Sequence, residues 1–255
     1  MSVAARQQSQ PRRSRVRFKP IQQLRAHEYV VEQIRRHIAL RLVAPGESLP
    51  SERELTTMFG VGRPTIQHAL RQLEADRLVE SRRGRRGGTF VSQPLEDAVA
   101  MDELIARLLR RRDELEELLV YRRTVEPAVS RLAAETRRRS DLATMRRAIR
   151  GMAEAPTEPE YMRCDTEFHL AIAGATQNRY LHREIEEIRM QLNDALSLLP
   201  ESETWHRRLS GEHEAILGAI EARDPDTAEA ATELHVENSD RSVRAVVAAI
   251  RRRRG

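Results

Sequence analysis

Between Leu24 and Leu42 the apolar side chains Leu24, Tyr29, Val30, Ile34, Ile38 and Leu42 recur at helical spacing until Pro45-Gly46 stops them, which predicts a first helix. Ser51-Glu52-Arg53-Glu54 has the form of a capping box: a serine oxygen can accept from a free backbone N–H while a glutamate reaches back to the cap. A second helix is predicted there. Gly60-Val61-Gly62 cuts it short, and Pro64, with its fixed φ and missing N–H, suits the first turn of a third. The pair reads as a helix-turn-helix. Leu78-Val79-Glu80 and Thr89-Phe90-Val91 then read as two short strands around a tip of arginine and glycine, Ser81 to Gly88, the outline of a wing.

Ser92-Gln93-Pro94 reads as a linker, and beyond it the periodicity is helical throughout. Thr157-Glu158-Pro159-Glu160 and Asp224-Pro225 are helix starts, while Gly151, Gln177-Asn178 and Pro200 mark breaks. Six or seven helices are expected between about residues 95 and 251. No segment repeats at a fixed period, which favours a compact antiparallel bundle over a solenoid. The fold expected is mainly α: a disordered arm over residues 1–22, a winged helix-turn-helix over 23–93, and an all-helical domain over 94–251.

Composition supports this picture and adds a direction to it. Aromatics are 4% of the chain and charged residues 33%, as in helix-rich proteins. Cys164 has no partner for an intramolecular disulfide, and neither a secretory signal nor an apolar run long enough for a membrane span occurs, so a cytoplasmic protein is expected. The formal charge of +5 conceals an asymmetry: residues 1–93 hold 18 Lys or Arg against 8 Asp or Glu, and the remainder is net acidic. The basic end suits a polyanion. The arm itself carries Arg6, Arg12, Arg13, Arg15, Arg17 and Lys19 and no acid; it serves either as a solvated tail or as a DNA contact.

A helix entering the major groove of B-DNA by its N-terminus brings its first-turn side chains to base edges, and here these are Arg63, Thr65 and Gln67. Arginine pairs with O6 and N7 of guanine and glutamine with N6 and N7 of adenine, so Arg63 and Gln67 are the candidate base readers. Arg53, Arg71 and the wing arginines Arg83 and Arg85 are candidates for phosphate contacts. Any one of these arginines alone is as readily a solvated surface charge; the ordered set of turn, helix and wing is what points to DNA. Leu49-Pro50-Ser51-Glu52-Arg53-Glu54-Leu55, Val61-Gly62-Arg63-Pro64-Thr65-Ile66 and the arginine-glycine wing resemble the GntR family of bacterial regulators over residues 24–92. That resemblance implies a winged helix and places Arg53, Arg63, Thr65 and Gly84 at operator-contacting positions. Gln67 departs from the arginine that many members carry there, which implies a different base preference at that point of the operator.

The C-terminal half places ionisable groups on stripes that should be apolar. Met162, Asp165, His169 and Ile172 share one helix face, Leu209, His213, Ile216 and Ile220 a second, and Ala228, Ala231, His235 and Asn238 a third. Carboxylate and neutral imidazole suit a divalent first-row metal, which makes Asp165, His169, His213 and His235 a candidate ligand set; singly, each histidine is as readily a satisfied core or surface residue. His27, His37, His68, His182 and His206 lack such company. Arg122 lies on an apolar stripe with Leu115, Leu118, Val125, Val129 and Leu132, where it needs an anion: either a carboxylate-bearing effector shared with the metal, or Glu126 or Asp165 in a buried ion pair.

Tyr121-Arg122-Arg123-Thr124-Val125-Glu126-Pro127, Asp165-Thr166-Glu167-Phe168-His169, Asn178-Arg179-Tyr180-Leu181 and Glu212-His213-Glu214-Ala215-Ile216 resemble the FCD effector domain of the FadR-type subgroup over about residues 95–245. The resemblance implies a metal, often zinc or nickel, held by an aspartate and three histidines, with small carboxylic acids docking beside it. It also places Asn178 near the pocket, although that residue serves equally as a helix cap. The function expected is a homodimeric, ligand-responsive DNA-binding regulator, a repressor by default, that binds a near-palindromic operator and releases it to a small organic acid. Two readings from other classes remain. One is a metal-dependent hydrolase fused to a DNA-binding domain, for which Glu167 or Glu212 would have to act as base although both should face away from the ligands on their helices. The other is a non-specific architectural DNA protein with a structural metal.

Overall fold

Ser51 closes the predicted capping box: its Oγ accepts from the Glu54 backbone N–H at 3.4 Å, and Glu54 Oε2 accepts from the Ser51 N–H at 2.8 Å. In the computed structural model, which describes residues 26–84, 87–92, 98–196, 198 and 203–254, this box starts the second of ten helices. The order is α1 (Ala26–Ala39), α2 (Glu52–Phe59), α3 (Arg63–Ala75), β1 (Val79–Arg82), β2 (Gly88–Val91), α4 (Ala98–Arg110), α5 (Arg112–Thr136), α6 (Arg139–Glu154), α7 (Glu158–Ala175), α8 (Arg179–Leu196), α9 (Glu203–Ala222) and α10 (Pro225–Arg254). The arm, Arg85, the Gln93-Pro94 linker, the Pro200 break and the side chains of His206 and Leu209 lie outside the described residues.

Gly60 ends α2 in the left-handed conformation with φ 63°, a cap that glycine adopts without a Cβ penalty. Gly62 then precedes Pro64 in the first turn of α3. β1 and β2 pair antiparallel with Val79 opposite Val91 and Arg82 opposite Gly88. At the wing tip, Gly84 has φ 117°, and a Cβ on Gly87 would stand 2.4 Å from the Arg82 carbonyl oxygen, so both positions require glycine. Val30, Ile34, Leu55, Ile66, Ala69, Leu73, Val79 and Val91 form the core under this head.

A second core joins α5 to α10, through Leu119, Ala133, Met145, Phe168, Ile188, Leu192, Ile216, Ile220 and Ala228. α5 packs chiefly against α10 and α6 against α7, and α8 also touches α1. Seven helices follow the wing among the described residues, in line with the periodicity. Gly151 corrects one expectation. It lies inside α6 and breaks nothing, because its missing side chain makes room for Cys164: a Cβ there would meet Sγ at 2.5 Å.

The two cores are tied together through α8. Asn193 Nδ2 donates to the Ala39 carbonyl oxygen at 3.1 Å, Arg36 pairs with Glu186 at 2.5 Å, and Arg41 lies 3.5 Å from Asp194. None of these residues stands out in the sequence.

Candidate functional site

The helix-turn-helix presents a polar face whose members are partly held by an acid. Arg63 Nε donates to Glu52 Oε2 at 2.9 Å, and Gln67 Nε2 donates to the same oxygen at 3.1 Å. The two candidate base readers, one turn apart on α3, are thus bridged by the first residue of α2. The Arg63 guanidinium holds the Glu52 carboxyl below its usual range. Arg53, Arg71 and Arg83 are exposed, Gly84 shapes the wing tip, and Thr65 starts the α3 hydrogen-bond ladder with its N–H on the Gly62 carbonyl at 3.0 Å. Glu52 was not among the residues singled out in the sequence, and neither was Arg82, whose guanidinium lies over the Phe90 ring at 4.4 Å.

In the helical domain, α7, α9 and α10 turn their anomalous stripes toward one point. His169, His213 and His235 are buried, and a ring nitrogen from each lies within 4.8 Å of the others. Asp165 joins them: its Oδ1 is 3.2 Å from His213 Nε2 and 3.8 Å from His169 Nε2. Neither nitrogen of His213 nor Nε2 of His169 has a hydrogen-bond partner among the described residues, an arrangement costly to bury unless something else meets those polar atoms. The outer nitrogens are oriented by carboxylates. His235 Nδ1 is 3.1 Å from Glu212 Oε2, and His169 Nδ1 is 3.6 Å from Glu126 Oε2. One carboxylate oxygen and three imidazoles, with carboxylates behind two of the rings, fit a divalent first-row ion.

The electrostatics favour the ligating forms. Burial pushes the His235 imidazole below the ordinary histidine range, and burial together with the Arg189 charge pushes His169 well below it. Burial alone would raise the Asp165 carboxyl, but the Arg189 charge and the His213 contact hold it well below the usual carboxylate range. Neutral rings and an ionised carboxylate are what metal coordination requires.

The geometry favours one alternative for Arg122 and for Asn178 and corrects the expectation for Glu212. Arg122 finds its anions inside the protein: Nε donates to Glu126 at 2.8 Å, and Nη1 donates to Asp240 at 3.2 Å and to Ser239 Oγ at 2.8 Å. The buried ion pair therefore accounts for its burial, with Asp240 as the second partner rather than Asp165. Glu212 does not face away, because its carboxylate turns inward to His235 and also accepts from Asn238 at 2.7 Å. Glu167 is exposed, as the helix geometry predicts. Asn178 is a cap: its Oδ1 accepts from the Tyr180 N–H at 3.0 Å and more weakly from Leu181 at 3.5 Å.

The residue missed is Arg189 on α8. Its guanidinium is buried and donates to Asp165 Oδ2, with Thr166 Oγ1 at 3.4 Å. Arg189 lies on the apolar stripe of α8, four residues after Ile185 and three before Leu192, so the helical spacing that marks Arg122 would have marked it too.

Comparison with known proteins agrees with these two halves. Residues 26–91 match the model of the gntR family of bacterial regulatory proteins, and residues 117–238 match the FCD domain. The HTH-type transcriptional regulator LutR of Bacillus subtilis is 32% identical over 200 residues, covering 76% of this chain and 90% of that protein. The HTH-type transcriptional repressor NanR of Cronobacter sakazakii is 29% identical over 225 residues, 86% of each chain. In fold, the structure of E. coli McbR/YncC aligns with a TM-score of 0.50 at 17% identity, over 88% of this chain and 99% of that one. No described helix is long and apolar enough to cross a membrane. The chain belongs to the GntR family: it is a transcriptional regulator, not an enzyme, with a winged helix-turn-helix joined to an FCD effector-binding domain.

Proposed function

We propose that the chain is a metal-dependent sensor of a small carboxylic acid that represses transcription as a cytoplasmic homodimer and leaves its operator when the acid binds. Residues 1–22 form an arm, 23–93 the DNA-binding domain and 94–251 the effector and dimerisation domain. The observation that carries the sensor reading is the convergence of His169, His213 and His235 with Asp165 Oδ1 beside them, where His169 Nε2 and both nitrogens of His213 make no hydrogen bond among the described residues. Those four residues would hold a divalent first-row ion, zinc or nickel if the FCD resemblance extends to the metal, and the ion would supply a Lewis-acidic site for one carboxylate oxygen.

At the other end, Arg63 and Gln67 read bases, with Thr65 beside them, while Arg53, Arg71, Arg83, Arg85 and the Gly84 turn follow the backbone. A two-fold dimer presents two such heads to half-sites one helical turn apart, which predicts a near-palindromic operator. The acid acts only through its differential affinity for the DNA-bound and released states.

Selection of binding sites from random duplex DNA, followed by footprinting with and without a panel of small carboxylic acids, tests the reading. A palindromic consensus that Arg63→Ala weakens, and a footprint that one acid removes, support it. Binding without sequence preference and with only a salt dependence would instead indicate an architectural protein.

A further inference from the structure

Among the described residues, Arg189 is the one guanidinium at the candidate metal centre with a buried N–H that makes no hydrogen bond. One edge is engaged: Nη2 donates to Asp165 Oδ2 and reaches Thr166 Oγ1. Nε has no hydrogen-bond partner among the described residues although it is buried. Arg122, in contrast, spends its fork on Glu126 and Asp240. A buried N–H of a charged group left unmet is costly, and a planar guanidinium edge matches a carboxylate.

Arg189 also lines a cavity. Tyr161, Met162, Asp165, Arg189, His235 and Ser239 line a partly open cavity of about 20 Å³, room for one water-sized molecule and too little for an organic acid. Three walls of this cavity come from α7, α8 and α10, so admitting an acid requires one of them to yield. α8 is the wall that also holds the DNA-binding head. From Arg189 the contacts run through Thr166 Oγ1 to Asn193 Nδ2 at 3.3 Å, and from Asn193 to the Ala39 carbonyl at the end of α1. Glu186 and Asp194 on the same helix pair with Arg36 and Arg41.

We propose that Arg189 is the docking residue for the effector's carboxylate, reached by an outward movement of α8 that loosens its grip on α1. This rests on the acid-sensing reading above. Arg189 keeps Asp165 Oδ2 and so leaves Oδ1 directed at the histidines, while its Nε edge takes the acid beside His235. Arg189 thereby replaces Arg122 as the recognition residue for the anion, and the specificity follows: carboxylates bind, and the corresponding neutral amides do not.

The test uses the full chain loaded with Ni²⁺ or Zn²⁺, as wild type, Arg189→Lys and Arg189→Gln. Metal stoichiometry is measured by titration calorimetry, and binding of a panel of small mono- and dicarboxylates and of the amide of the best acid is read by thermal shift. The expected result is an acid-dependent shift in the wild type, none with the amide, and an acid dissociation constant raised at least about tenfold in variants that still load the metal. Acid binding within about twofold of wild type in either metal-loaded variant would overturn the role of Arg189 while leaving the sensor reading intact. A wild type that loads metal and ignores every acid would overturn both. Hydrogen exchange on the wild type needs no variant: saturating acid should raise exchange in α8 and at the end of α1, and unchanged exchange in both contradicts the proposed movement.

Discussion

Glu52 Oε2 lies 2.9 Å from Arg63 Nε, so the acid that opens α2 holds the arginine that opens α3. The pair is half-exposed at Glu52 and largely exposed at Arg63, where an ion pair contributes little stability. Its consequence is for recognition: Glu52 competes with guanine for Arg63 and with adenine for Gln67. Glu52→Gln should raise affinity for non-specific duplex several-fold and narrow the ratio of specific to non-specific binding. Fluorescence anisotropy at two salt concentrations with operator and scrambled DNA measures this. A wider ratio in the variant would contradict it.

Replacing Arg63 by alanine should cost about 1 to 3 kcal/mol of operator binding and relax preference at one base pair. Arg53→Ala should instead weaken all sequences alike and lower the slope of log affinity against log salt by about one. Site selection and salt titration on the two variants separate these outcomes.

Glu212 stands behind His235 at 3.1 Å, and carboxylates in that place raise ligand basicity and fix the ring. Glu212→Ala should weaken Zn²⁺ or Ni²⁺ binding about 10- to 100-fold without removing a ligand. Unchanged metal affinity would show that His235 is oriented by something else.

Much of the fold is written in local pattern. The Ser51–Glu54 capping box, Gly60, Pro64 and the wing glycines each specify a backbone state within a few residues, and the structure follows them. The stripes around Asp165, His213 and His235 predict burial because helical period alone decides which residues share a face. What sequence could not supply is pairing across helices. Asp240 lies over a hundred residues from Arg122, Arg189 is 24 from Asp165, and nothing local marks either contact. Gly151 failed for the same reason: its local propensity says break, but the sulfur of a residue on the next helix decides its role.

That packing makes a prediction of its own. Gly151→Ala should improve local helix propensity yet destabilise the domain by about 1 to 3 kcal/mol, since the added Cβ would stand 2.5 Å from Cys164 Sγ and force that side chain to shift. Cys164→Ala in the same chain should recover part of that loss, and a double-mutant cycle in urea measures the coupling. Additive effects would contradict the contact.

Asp240 makes one distinct contribution to the pH dependence of stability. Burial raises its carboxyl to about 6, against the pull of Arg122. A group raised in the folded state contributes stability that is full below its unfolded value near 3.8 and is lost as pH rises through about 6. Asp240→Asn removes the ionisation, so the stability of wild type relative to the variant should fall between pH 4.5 and pH 7.5. Denaturant midpoints at the two pH values check the sign.

The cluster of Asp165, His169, His213 and His235 is expected to bind one divalent ion. Equilibrium titration of the metal-stripped full chain with Zn²⁺ and with Ni²⁺, on the wild type and on His213→Ala, tests it most directly. One ion per chain is expected in the wild type and none in the variant, with helical content retained; no binding in the wild type, or the same stoichiometry and affinity in both proteins, would rule the metal centre out.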